Sequence, residues 1–515
     1  MLLGVTMKRY LDRDCVGQFV VGGLPYSGVL TFSSVGVSLV IYVDGFSPSS
    51  LFDHSRISNI SGTLFDLTRV TLLRNIFASR SFHTKSADDG TTSRRREHLT
   101  FVIGYVLFTD LSLDGDQYIF NALDFHLPDF NSLFCFDSFD HLIHTTKDLA
   151  KELIANDHDY FGKDPLNRSL NNHVFGSRPE IFIYTGAHVL CEFKLHFGTL
   201  KIKNNPHWTL PSNSGFVFNN TVSCHFEFIE SLSLWEAVEQ TESLKRLLEL
   251  ILGRKQTLTA FQLEVKKENG STSVFEAYRH MVKQVVPTNN AVNESDRLIY
   301  IEIEKDEFVN VINDWLSRQE EWKYPRNDFF SLLGKLEYTS DTLIKLANMF
   351  DLIPNSAYQN EPVVLSDDIL KAKNDCRAIF KALPPSSERD SILGALGRLG
   401  SKSLKNKIMD RYKVLERANF VDLDRIDIVI SQAVDCRNFF VHGTSYRFDY
   451  LKDFSHVCFF IDTLSFIYAA SEMVQSGWTS SNWQPIEFNT HPFSMYIMDY
   501  EWELESLDRT LLSAR

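Results

Sequence analysis

The sequence predicts an α+β multidomain chain: a β-rich N-terminal domain, sandwich or barrel-like, followed by an all-α, up-and-down helical bundle. Three observations carry this expectation. Phenylalanine, 41 in all, is concentrated in the first 230 residues, where β-branched runs recur without helical period. From about residue 299 the apolar spacing changes to alternating steps of three and four. A chain of 515 residues also exceeds what one hydrophobic core organises, so two or three domains are expected. We place the β-rich domain at 1–230, a connecting helix and strands at 231–296, the bundle at 297–478 and a C-terminal extension at 479–515.

In the first region, Val29–Phe32 and Val37–Val43 are strand-like and flanked by glycines. Leu99–Phe108, Glu180–Tyr184, Val189–Phe197 and Phe216–Phe228 repeat the pattern. Two polar segments, Ser79–Arg96 and His158–Pro179, are expected to be mobile loops, and the triple arginine Arg94-Arg95-Arg96 is expected to be solubilising. Ser233 and Glu236 form a capping box for a helix whose stripe is Val238, Leu244, Leu247, Leu248 and Ile251, ending at Gly253. Two strand-like runs follow, Thr257–Val265 and Ser273–Ala277, with Asn269-Gly270 as the turn between them. The polar stretch Thr288–Arg297 is the expected domain boundary.

Beyond it, Phe308, Ile312, Trp315 and Leu316 share one helical face, and Thr342–Phe350 forms another helix. Ser366 caps a helix ended by Pro384-Pro385; Ser391–Leu399, Leu404–Ala418, 423–442 and Tyr450–Ser476 continue the bundle. Val457–Ala470 is greasy but short and carries Asp462, which fits a buried helix and not a membrane span. The tail shows no strong period, with a short last helix at Tyr500–Leu511.

The net charge of −14 argues against non-specific coating of nucleic acid or anionic membrane. Residues 371–420 depart from it, with twelve Lys or Arg against five Asp or Glu, a local +7. That patch is either a solvated helix face or a landing surface for phosphates, through Lys402, Lys405, Lys407 and Arg411. Seven scattered cysteines with no Cys-x-x-Cys pair fit a reducing cytoplasm and no zinc site. Met1–Arg9 lacks the apolar run of a signal peptide. Gly394 to Ser403 imitates a phosphate-binding loop, but has one residue too many before Lys402 and follows a helix instead of a strand. No metal-ligating or nucleophile-elbow motif occurs, so neither metal nor cofactor is expected.

The most informative stretch is Arg437-Asn438-Phe439-Phe440-Val441-His442, closed by Gly443. Leu423, Ile426, Ile430, Ala433, Arg437 and Phe440 form a helical seam, so Arg437 stands where packing alone would place an aliphatic residue. Such a guanidinium must be paired, lie at an interface or meet an anion. Asn438 and His442 project from the same side, four residues apart. Arg168 and His173 have the same spacing as Arg437 and His442 but lie in an Asn-rich segment without helical period, which reads as coincidence. Metal-free RNA cleavage needs a base, an acid and a cation on the phosphorane. Histidine and arginine supply these roles near neutral pH. One histidine cannot easily make both proton transfers, whereas two copies across a two-fold axis could. The competing reading pairs Arg437 with an interior carboxylate and leaves His442 as a helix cap.

A bundle whose penultimate long helix ends in Arg, a polar residue, three more and then His resembles the HEPN ribonucleases. The order of parts resembles the ApeA group of bacterial antiphage defence proteins. That resemblance implies a homodimeric, metal-independent, cytoplasmic endoribonuclease with Arg437, Asn438 and His442 as catalytic residues. It implies RNA, with tRNA a candidate, as substrate, a phage-encoded trigger, and the β domain as sensor or regulator. Tyr446 and Arg447, just past Gly443, are further candidate RNA contacts. The alternative is a non-catalytic HEPN-like module that binds RNA or protein.

Overall fold

The computed structural model describes residues 10–513 apart from 11, 34–35, 48–56, 58, 87–92, 110–114, 135–138, 143–145, 150, 153–180, 185–188, 209–216, 259, 268, 280–291, 334–336, 359–364, 401, 444–446 and 485–489. It divides into two compact units, one of Met1–Ala237 with Thr257–Gln284 and one of Val238–Gln256 with Val285–Arg515.

The first unit is built on β1 (Asp14–Val21), β2 (Leu24–Ser33), β3 (Gly36–Asp44), β4 (Asn59–Leu64), β5 (Arg69–Leu73), β6 (Ile76–Ser86), β7 (Ser93–Ile103) and β8 (Tyr105–Phe108). It continues with β9 (Phe120–Phe125), β10 (Phe139–Leu142), β11 (Ile181–Tyr184), β12 (Val189–Leu195), β13 (Gly198–Trp208), β14 (Phe218–Leu232), β15 (Ala260–Lys266) and β16 (Thr272–Arg279). Fourteen of these form one sheet in the order β12-β13-β14-β9-β15-β16-β8-β5-β4-β1-β2-β3-β7-β6, while β10 pairs with β11 alone. The pairings given by register are antiparallel, including the β15–β16 hairpin, which joins β9 to β8.

That sheet curls on itself. Phe32 on β2 and Tyr278 on β16 are five strand steps apart, about 24 Å if the sheet were flat. Their ring centroids lie 5.6 Å apart. The curl gathers Phe19, Leu30, Leu39, Leu72 and Phe101 into one apolar cluster, and β1 alternates exposed and buried residues along its length. Phe19 pairs across from Gly62, and a Cβ there would lie 2.5 Å from the Phe19 ring. Glycine is what lets the ring lie flat on the neighbouring backbone at this bend.

Of Ser79–Arg96, expected as a mobile loop, the described residues 79–86 and 93–96 are instead strand, paired as part of β6 and β7. Three of its arginines, Arg80, Arg95 and Arg96, meet carboxylates. Arg80 donates to Glu97 through Nε at 3.0 Å and Nη2 at 2.7 Å, and Arg95 Nη2 lies 2.6 Å from the same carboxylate. Arg96 pairs with Asp44, and the Arg95 guanidinium lies over the rings of Phe46 and Phe82. Local polarity suggested a loop, but Arg80 and Arg96 find their carboxylates on other strands, and Arg95 finds Glu97 just beyond the segment. The second expected loop, His158–Pro179, lies outside the described residues.

The second unit is helical: α1 (Leu234–Leu252, whose first turn belongs to the β unit), α2 (Lys305–Ser317), α3 (Gln319–Leu332), α4 (Ser340–Leu352) and α5 (Asp367–Ala382). Then come α6 (Ser387–Arg398), α7 (Leu404–Arg417), α8 (Ile426–His442), α9 (Phe454–Gln475) and α10 (Pro492–Ser513). The expected capping box is present, with Ser233 N–H donating to Glu236 at 3.0 Å. α9 is the central helix. It is apolar and long enough to cross a membrane, yet most of it is buried within the unit.

α10 corrects the sequence reading of the tail, which gave only a short helix at Tyr500–Leu511. Proline occupies its first position, where the missing N–H costs nothing. Phe493, Tyr496, Tyr500, Leu504 and Leu507 bury one stripe at steps of three and four.

Glu97 should carry much of the hairpin's stability. The guanidinium of Arg80 holds its carboxyl at about 2, helped by Ser47 and Arg95. This value lies below that of an unfolded chain, so the stabilisation is complete above the ordinary carboxylate range and is lost as pH falls toward 2. Glu97→Gln is expected to destabilise the β unit by about 2 kcal/mol near neutral pH, with the difference from wild type shrinking in acid. Thermal melts of the full chain at two pH values check this, and an unchanged neutral melting midpoint would refute it.

Candidate active site

α8 presents Val429, Ile430, Ala433 and Cys436 to the interior of the helical unit. Leu423, Ile426, Ile430 and Ala433 of the expected seam are buried, while Arg437 and Phe440 are half-buried. The seam therefore emerges toward solvent at the position held by the arginine. Gly443 then stops the helix with φ of 65°, and its N–H donates to the Phe439 carbonyl at 2.9 Å. This left-handed cap suits glycine and leaves His442 exposed in the last turn.

The Arg437 guanidinium is held by neutral oxygens. Its Nη2 and Nε donate to Oδ1 of Asn348 at 2.6 and 3.2 Å, and Nη1 donates to Oδ1 of Asn438 at 3.0 Å. Nη1 also lies 3.3 Å from Nε2 of His442. A guanidinium can only donate, so Nε2 accepts in this contact and the ring proton belongs on Nδ1. Among the described residues no carboxylate pairs with Arg437. The full positive charge thus stands at the surface, fixed in direction but not neutralised, beside an unprotonated imidazole nitrogen. Such a place is suited to a phosphate. The thiol of Cys436 next to it is no rival nucleophile, since burial pushes it up to about 12.

Asn348 was not singled out from sequence. It lies on α4 among the buried Leu346, Ala347, Met349 and Phe350. Its only signal is that a polar amide interrupts an apolar run.

Other arginines of this unit show what a purely structural one looks like. Arg326 is fully buried, with Nη2 at 2.6 Å from Glu472 and its guanidinium 3.6 Å above the Trp315 ring. Arg318 reaches the same carboxylate at 3.2 Å. Arg411, a candidate RNA contact by sequence, belongs to this interior group. It falls on the buried stripe Ile408, Arg411, Tyr412 and Leu415 of α7 and donates to Ser471 Oγ at 3.0 Å and to Gln475. A fully buried guanidinium cannot meet a polymer phosphate, so that assignment is withdrawn.

The rest of the basic patch is partly matched. Lys402 pairs with Asp410, and Lys407 lies 2.9 Å from Asp351 on α4, an acid outside the local charge count. Lys405 is half-exposed. Arg447 is two-thirds exposed and 3.9 Å from Asp435. Tyr446, Arg168 and His173 lie outside the described residues. Gly394 and Gly397 sit within α6, consistent with the rejection of a phosphate loop there.

Residues 15–315, more than half of the sequence, match the family model of ApeA N-terminal domain 1, and residues 344–482 match that of the Apea-like HEPN domain. The chain belongs to the ApeA family. The HEPN match spans α4 through α9, and so contains both Asn348 and the Arg437–His442 segment. No curated protein and no solved structure matches the chain.

In the ApeA N-terminal region, Asp124, His225 and Glu264 bring possible metal-ligand atoms within 4.8 Å of one another. His225 Nδ1 lies 2.7 Å from Asp124, Lys203 lies 3.8 Å from Asp124, and Lys201 lies 2.9 Å from Glu227. The two lysines and the imidazole balance these carboxylates across β13, β14, β9 and β15, which makes the group an ion-pair ladder on the sheet.

The neutrality of Asn348 is the testable feature of the HEPN site. Asn348→Asp is expected to place a counter-anion on Arg437, keeping the melting midpoint at or above wild type while weakening the binding of inorganic phosphate at this site at least about tenfold. Undiminished phosphate binding in a variant of normal stability would show that the charge of Arg437 is not open to an anion.

Proposed function

We propose that this ApeA-family protein is a metal-independent endoribonuclease whose HEPN domain cuts RNA, with tRNA a candidate, when the N-terminal domain senses a phage component. The observation that carries the reading is the uncompensated guanidinium of Arg437 at the end of α8, beside His442. In the proposed reaction a neutral imidazole removes the proton of a ribose 2′-hydroxyl. That oxygen attacks the adjacent phosphorus, and a protonated imidazole delivers a proton to the departing 5′-oxygen. The products are a 2′,3′-cyclic phosphate and a 5′-hydroxyl, and the proton taken balances the proton given. Arg437 stabilises the charge that grows on the non-bridging oxygens, and Asn438 orients either the guanidinium or a phosphate oxygen.

The two proton transfers call for two imidazoles on opposite sides of the phosphate. A homodimer supplies them if the exposed end of α8, with His442 and the 40% exposed Val441, faces its copy. The protein would act in the cytoplasm and arrest growth of the infected cell by destroying RNA. Lys402, Lys405, Lys407, Tyr446 and Arg447 remain candidate RNA contacts under this proposal.

Arg437→Ala and His442→Ala are each expected to abolish cleavage, by about a thousandfold or more, with the fold retained. Cleavage by the wild type should persist in excess EDTA. Full activity in either variant, or strict dependence on Mg²⁺, would overturn the assignment in favour of a non-catalytic RNA- or protein-binding module or a site elsewhere.

A further inference from the structure

The helical unit encloses a second feature, independent of Arg437. A cavity of about 360 Å³ lies between α3, α9 and α10, within the size range of small-molecule sites. Its wall carries several aromatic rings, including Phe329, Phe459, Phe466 and Tyr496. Among the described residues its charged lining is all of one sign. Asp462 of α9 and Asp499 and Glu503 of α10 border it, and none of the described lining residues is lysine or arginine. A fourth carboxylate, Glu249, is already matched by Lys245 at 3.2 Å and by the Gln256 N–H at 2.8 Å. His491 supplies no cation either. Its Nε2 donates to the Leu250 carbonyl, its Nδ1 accepts from the Phe493 N–H, and burial lowers it to about 4.

Among the described residues, the three remaining carboxylates have little to offset them. Asp462 accepts from the Tyr338 hydroxyl at 3.0 and 3.1 Å, a neutral donor. Burial, together with the charges of Glu503 and Asp499, pushes its carboxyl up to about 6. Asp499 and Glu503 are four residues apart and share a face of α10. An oily, aromatic chamber with like charges gathered on its border is complementary to one kind of molecule. We propose that this cavity binds a small organic cation, an ammonium group on an aromatic body, with the ring among Phe329, Phe459 and Phe466 and the ammonium at Asp462. An extended polyamine would leave the aromatic wall wet. A bare metal ion would find too few oxygen ligands here.

The test is titration calorimetry on the full-length protein with three probes of similar shape: 2-phenylethylammonium, neutral 2-phenylethanol and anionic 3-phenylpropionate. The ammonium probe should bind at least about tenfold more tightly than the alcohol, and the carboxylate should not bind. Asp462→Asn should remove that preference, and Ser465→Phe, which fills the chamber from α9, should abolish binding with the melting midpoint retained. Equal binding of the three probes, no binding of the ammonium probe at millimolar concentration, or full binding by both variants would overturn the proposal. The comparison of probes on the wild-type protein stands even if a variant fails to fold. None of these outcomes depends on whether the HEPN site cleaves RNA.

Discussion

An arginine that no carboxylate among the described residues neutralises sets the polar arrangement at the end of α8. Desolvating a guanidinium is costly, and several structural arginines of this chain are given a carboxylate: Glu97 for Arg80 and Arg95, Glu302 for Arg297, Glu472 for Arg326. The buried Arg411 instead donates to Ser471 and Gln475. Arg437 is held differently. Two amide oxygens, from Asn348 and Asn438, fix its direction without cancelling its charge. Half-burial makes that affordable, because solvent still screens part of the charge.

Direction without neutralisation requires a rigid frame, and the frame is α9. Both α4 and α8 pack against it, which keeps Asn348 in reach of Arg437. Toward its C-terminus α9 contributes Glu472, on which Arg318 and Arg326 converge. The Gly443 cap completes the arrangement by ending α8 one residue past His442, so that the imidazole reaches solvent instead of continuing into a further buried turn.

The division into a β-rich and a helical part was legible because phenylalanine-rich β runs and three-four spacing leave strong local marks. Arg437, Asn438 and His442 were legible as a group because a charge on an apolar seam contradicts its surroundings; the structure brings their polar atoms within hydrogen-bonding distance. What escaped was non-local. The Arg80–Arg95–Glu97 cluster looked like a polar loop because Glu97, which neutralises both arginines, lies on the strand opposite Arg80 and just past the polar run. Arg411 looked available because charge counting ignores which face of α7 it occupies. Asn348 lies 89 residues from the arginine it holds, and no pattern within α4 points there. The stripe of α10 was present in the letters, but its members are mostly aromatic rings spaced among acidic residues, and these masked the period.

The most direct test is a crystal structure of the protein with an RNA oligonucleotide whose 2′-hydroxyls are all O-methylated, which blocks the proposed nucleophile. A phosphate oxygen within hydrogen-bonding distance of the Arg437 guanidinium, with His442 facing the neighbouring ribose, is the expected result. An oligonucleotide bound elsewhere, with Arg437 still turned to Asn348 and Asn438 and no phosphate near it, would contradict the role given to that charge.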